Sequence, residues 1–108
     1  MAANYKVLGQ SAPAATTNTD LYTCASANGA IGSTLAICNR GATTTCRVAV
    51  RPAGAGIANQ HYIAYDIPVS AADTLFLTIG IALANTDVVT VYANTANTSF
   101  SLFGTELT

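Results

Sequence analysis

Along residues 75–83, LFLTIGIAL, every odd position is aliphatic: Leu75, Leu77, Ile79, Ile81 and Leu83. Phe76, Thr78, Gly80 and Ala82 fall between them. A period of two puts alternate residues on opposite faces of a strand, and β-branched content favours strand over helix. Gly80 inside the run predicts a bulge or a close backbone approach. CRVAVR, residues 46–51, repeats the pattern, with Cys46, Val48 and Val50 on the core face and Arg47, Ala49 and Arg51 on the other. DVVTVYA and SFSLFGTEL predict two strands near the C-terminus, and YKVLG, DLYTCA, STLAICN and HYIAYDIPV complete the set. Clusters of Asn, Asp, Gly, Pro and Thr separate these segments at roughly 8 to 12 residues, the rhythm of a sandwich or jelly roll. No segment sustains a 3.6-residue period. The pattern predicts an all-β chain, a single β-sandwich or jelly-roll-like domain of about eight antiparallel strands spanning residues 1–108.

The polar punctuation predicts the connections. NTDLYT at 18–23 and NTDVVT at 85–90 each lead into a strand through Asn-Thr-Asp, whose side chains bond nearby backbone amides. Asp20, Asp73 and Asp87 are therefore read as turn caps. Pro52 ends the arginine-bearing strand, and AGAGIAN after it reads as a flexible loop. SAPAATTNT, residues 11–19, reads as a loop or as an extended arm crossing a neighbouring molecule. CNRGATTTCRVAVRP, residues 38–52, reads as a hairpin turning at Asn39-Arg40-Gly41, with Asn39 and Gly41 supplying positive φ.

Charge alters this picture. Charged residues are 8% of the chain, against about 25% in ordinary soluble domains. Sixteen threonines, eight asparagines and twenty-one alanines stand in their place. A surface so poor in charge is expected to be covered, by further copies or by a larger assembly. One lysine and three arginines do not form the phosphate-neutralising patch that nucleic acid requires. No apolar run approaches the roughly 18 residues of a membrane span. MAANYKVLGQSAP has no charged segment followed by an apolar one, so no signal peptide is expected. The chain is expected to be made in the cytoplasm and to stay there or leave by lysis.

The chemistry-bearing residues are few. Three cysteines cannot complete a disulfide framework; Cys38 and Cys46 flank the turn, where a cross-strand pair or two free thiols are the alternatives. Zinc needs about four suitably spaced ligands, and no CxxC or second histidine is present, so no metal or other cofactor is expected. His61 and Asp66 lie five apart, on opposite faces of one strand, which argues against a catalytic dyad. No catalytic residues are assigned. Asn59, Gln60, Tyr62 and Tyr65 offer amides and rings for a glycan, although Tyr62 and Tyr65 differ in parity, which sends one of them inward. Arg40, Arg47 and Arg51 read as an interface, with Asp66 or Glu106 of a neighbouring copy as partners.

CNRG, RVAVRPAG and ANQHYI are the most specific parts of a wider similarity that includes NYKVLGQSAPAATTNTDLYT and the C-terminal TDVVTVYA and SFSLFGTE. The chain resembles, over nearly its whole length, a family of small virion structural proteins of tailed bacteriophages, frequent in phages of cyanobacteria. It departs from that pattern at Cys24-Ala25-Ser26-Ala27-Asn28, where a proline-bearing turn is expected. The resemblance implies a virion protein of β-sandwich type without enzymatic activity, with capsid decoration, head–tail joining and tail or baseplate attachment all open as its place; a capsid decoration or cement protein is the leading expectation. The alternative is a tail, baseplate or fibre module that binds a host surface glycan. It implies other copies of the chain as partners, a trimer being favoured, together with major capsid or tail proteins.

Overall fold

The computed structural model describes residues 2–108. Eight strands run β1 (Ala3–Ser11), β2 (Thr19–Thr23), β3 (Ala30–Asn39), β4 (Thr44–Arg51), β5 (Tyr62–Val69), β6 (Thr74–Leu83), β7 (Val88–Ala93) and β8 (Thr98–Leu107). They form two four-stranded sheets, β1-β8-β3-β6 and β2-β7-β4-β5, in which every pairing is antiparallel. First pairs with last, second with seventh, third with sixth and fourth with fifth. One long antiparallel ribbon is thus folded over itself, and the β8–β3 and β7–β4 pairings seal the fold. This is the eight-stranded jelly roll, whose two Greek keys form a double-sheet sandwich.

Alternation builds the core. Leu35 and Ile37 of β3 and Phe100 and Leu102 of β8 meet Cys46 and Val48 of β4 and Val89 and Val91 of β7, all fully buried. The odd residues of β6 face inward as expected. Gly80 takes φ +53° where two β6 residues, Ile79 and Gly80, face one of β3; this is the anticipated bulge. Nothing crowds its missing side chain, so backbone conformation is the reason for glycine there.

The predicted hairpin at residues 38–52 is instead an arch. β3 belongs to one sheet and β4 to the other, so Cys38 lies beside Thr74 and Ser99 while Cys46 lies beside Ile67 and Ala93. The cysteines occupy separate sheets and all three are free thiols. Neither Asn39 nor Gly41 has positive φ. Asn39 works through its buried side chain. Its amide donates to the carbonyls of Ala42 (2.8 Å), Val69 (3.2 Å) and Ser70 (3.1 Å), and its oxygen accepts from the Gly41 N–H at 3.0 Å. The genuine hairpin of this region is β4–β5.

Its loop is shaped and not slack. Two short 3-10 turns, Pro52–Gly54 and Asn59–His61, flank an exposed bend. Arg51 Nη1 donates to the Gly54 and Ala55 carbonyls at 3.1 and 2.9 Å. Buried His61 accepts the Ala58 N–H on Nδ1 at 3.0 Å, a structural role at the head of β5. Between β1 and β2, residues 12–18 form a loop on the domain itself, with Pro13 buried and the Thr16 N–H bonded to the Ala93 carbonyl. Asp73 and Asp87 do cap turns, Asp87 accepting from the Ala53 and Ala84 N–H groups. Asp20 does not; it sits within β2 and serves Arg51.

Candidate interaction surfaces

The outer face of β7-β4-β5 gathers most of the predicted residues. β4 holds Arg47 and Arg51 outward because Cys46 and Val48 must face the core. β5 carries two irregularities in its register with β4. Tyr65 and Asp66 together oppose Arg47, and Ile63 is an extra residue between Tyr62 and Ala64. Asp66 takes φ +51°, a conformation aspartate tolerates better than most residues. With two residues opposite one, Arg47 receives both a carboxylate and a ring. Its Nε donates to Asp66 Oδ1 at 2.7 Å, and its guanidinium lies 4.2 Å from the Tyr65 ring centre and 4.4 Å from that of Tyr92. The Asp66 carboxylate holds the Arg47 guanidinium even more firmly protonated than usual.

These bulges correct the parity argument for the tyrosines. Extra residues change the phase of the strand, so Tyr62 and Tyr65 meet edge-to-face, with ring centres 4.9 Å apart, and neither is sent into the core. Asn59 and Gln60 are exposed on the turn just before Tyr62. One face of Tyr65 is already occupied by Arg47.

Within the chain itself these charges form ion pairs. Arg47 pairs with Asp66 of its own chain. Arg51 donates to Asp20 Oδ1 at 2.8 Å and to Thr90 Oγ1 at 3.0 Å, tying β4, β7 and β2 together. Glu106 is not at the surface expected for it but straps one sheet to the other. It faces inward on β8, its side chain 17% exposed, bonded to Lys6 of β1 at 2.8 Å and accepting from the Tyr22 hydroxyl of β2 at 2.6 Å. Lys6, and after it the Tyr22 hydroxyl, holds the Glu106 carboxyl below the usual carboxylate range. Burial, reinforced by Glu106, pushes the Tyr22 phenol up. Among the described residues, Arg40 alone of the lysine and arginine side chains has no carboxylate partner; it is exposed on the arch. Burial also pushes the Cys46 thiol up to about 11, which keeps it protonated and unreactive at neutral pH.

Two further surfaces were not singled out by residue type. On the outer face of β1-β8-β3, Tyr5 (82% exposed), Val7, Ile31 and Phe103 cluster among Ser33, Thr34 and Thr105. At the β5/β6 edge the two sheets splay. Ile63, Ala64 and Ile67 from β5 and Leu77, Ile79 and Ile81 from β6 line an apolar cleft of about 470 Å³. Phe76, 65% exposed, stands on the outside of the same edge. The signal for both was present as aliphatic alternation, but alternation alone does not tell a covered strand from an edge.

Together these features define a charge-poor jelly-roll module, six of whose nine charged side chains pair within the chain and whose outer faces carry exposed rings. No family model, curated protein or solved structure matches the chain.

Proposed function

We propose that the chain is a non-enzymatic structural protein of a phage virion, acting as a capsid decoration or cement protein that stabilises the shell through contacts between subunits. One observation carries this reading. Six charged side chains are neutralised in three ion pairs within the chain, while Tyr5, Val7, Ile31, Phe76 and Phe103 remain exposed on the uncharged outer face of one sheet. Such a surface is what a covered subunit presents, because burying it in an assembly desolvates few charges. The jelly roll also occurs in viral capsid domains, which supports the reading by analogy of fold alone. Many copies on one particle act multivalently, so weak individual contacts add to a firm coat.

The experiment is stoichiometry in purified particles combined with depletion. Hundreds of copies per virion, with depleted particles bursting at lower temperature, are the expected result. Depleted particles that resist heat and dilution as well as intact ones overturn cementing. A tail or fibre module binding a host glycan is the second reading, favoured by the bulges that bring Tyr62 and Tyr65 to one side. Against it stands the Tyr65 face already stacked on Arg47. A few to tens of copies per particle is the outcome that selects it.

A further inference from the structure

We propose that β6 is the strand through which two copies of this chain join, antiparallel, across a two-fold axis at Phe76. This pairing rests on the proposed role as an assembly protein and names the edge that does the assembling. The contact is two-fold, in place of the three-fold symmetry that the resemblance implies.

A sandwich of two open sheets has four edge strands, here β1, β6, β2 and β5. Unpaired backbone groups on an edge invite another strand, and edges are ordinarily guarded by charge, proline, bulges or shortness. Three of the four are guarded. β1 carries Lys6 and a register break between Val7 and Gly9. β2 has five residues, Asp20 and a register break of its own. β5 has Asp66, Pro68 and two irregularities. β6 has ten residues, TLFLTIGIAL, with no charge and no proline, and its one bulge lies beyond Thr78.

Neutrality matters most for self-pairing. Across a two-fold axis each residue near the centre meets its own kind, so a charged edge would bring like charges together. β6 brings none. Its first half is also a palindrome, Thr74-Leu75-Phe76-Leu77-Thr78. With the axis at Phe76, Thr74 lies opposite Thr78 of the second copy, Leu75 opposite its Leu77, and Phe76 opposite its Phe76. Directly opposed side chains in an antiparallel pair sit about 4.5–5.5 Å apart at Cβ, within packing distance. Leu75 and Leu77, half-buried on the cleft side, gain apolar neighbours on that side; Phe76 gains one on the outer face. With the axis at Phe76, Thr74–Thr78 of each copy lie opposite one another, a paired edge of five residues, about 17 Å.

Sedimentation of the full chain across a wide concentration range, together with two variants, tests the pairing. Wild type is expected to form a dimer, and Phe76→Lys, which sets two ammonium groups face to face, to weaken it by at least about tenfold. Phe76 is exposed, so this variant keeps its far-ultraviolet circular dichroism. Phe76→Cys is expected to give a covalent dimer on mild oxidation, because opposed Cα atoms lie within disulfide range. Phe103→Cys, exposed on β8, is not. Cross-linking of Phe76→Cys no faster than that of Phe103→Cys overturns the pairing, as does a wild-type chain that stays monomeric. If wild type associates and Phe76→Lys leaves that association intact, the edge is wrong while the assembly reading survives. A monomeric chain that still joins particles has the same meaning; one that joins nothing removes both.

Discussion

At one side of the sandwich β1 and β2 lie in backbone contact, while at the other β5 and β6 stand apart over an apolar cleft. Aliphatic residues line both sides, so hydrophobic content does not explain the difference. The closed edge has two devices that the open edge lacks. Gly9 has no side chain where the Leu21 carbonyl comes too close for a Cβ, which lets the two sheets meet. Lys6, Glu106 and Tyr22 then strap β1 and β8 to β2 with a charged pair and a hydrogen bond. The open edge is held at one end, where the Asn39 side chain bonds Val69 and Ser70 and the arch and the β5–β6 loop exchange further bonds through Gly41, Thr43 and Asp73. Sealing a sandwich thus takes local backbone proximity and directional bonds; apolar rows alone leave a seam that another molecule can fill.

The largest expected effect breaks the closed edge. Gly9→Ala forces a Cβ into the Leu21 carbonyl, and since backbone must move, a loss of about 3 kcal/mol or more is expected in chemical denaturation. A variant as stable as wild type means that β1 and β2 do not depend on that contact. Next comes a matched pair. Leu21→Ala at the closed edge empties a buried site and is expected to cost about 3 kcal/mol. Ile79→Ala at the open edge removes a half-exposed side chain and is expected to cost about 1 kcal/mol in the monomer. Equal losses erase the distinction between the edges. Asn39→Ala, which strands carbonyls of the arch and of the β5–β6 loop, is expected to cost about 2 kcal/mol. Amide exchange should then rise at the Ser70–Asp73 end of the seam before it rises in β1.

The alternation of LFLTIGIAL and CRVAVR was enough to place strands, inward faces and the outward course of Arg47 and Arg51. All eight segments form strands, because period-two burial is a local property of the chain. Which sheet each strand joins is not local. Asn39-Arg40-Gly41 suits a hairpin and an arch equally; the choice falls to the long-range pairing of β3 with β8 and β6. Parity also failed where bulges intervene, as at Tyr62 and Tyr65, since each extra residue reverses the phase of the strand beyond it. Residue type marks Asp66 as an arginine partner, but not as one within the same molecule. Glu106 was expected to point outward, though its place two residues after Gly104 on the core-facing side of β8 put it inside. Closed and open edges could not be told apart from residue types, because the strap joins positions 84 residues apart.

The smallest expected effect, acid or alkali on the strap, separates the edges most cleanly because β6 has no titratable side chain. The Glu106 carboxyl is held below its ordinary value by Lys6 first and Tyr22 second. A carboxylate whose folded pKa is depressed contributes stability that is fully present above its unfolded value, about 4.3, and is lost as pH falls through the folded value. Tyr22 runs the other way. Burial raises its phenol, so its contribution is present below about 10 and is lost as pH climbs through the raised value. Between these limits the strap is intact: Glu106 ionised and accepting, Tyr22 protonated and donating. Amide exchange followed by nuclear magnetic resonance as pH is lowered below about 4.3 is expected to open β1 and β2 ahead of β6. Glu106→Gln removes the ionisable partner and should flatten this acid dependence, while Tyr22→Phe should flatten the alkaline one. If β6 opens together with β1 and β2 in wild type, the strap is not what keeps that edge shut, and Gly9 alone must account for it.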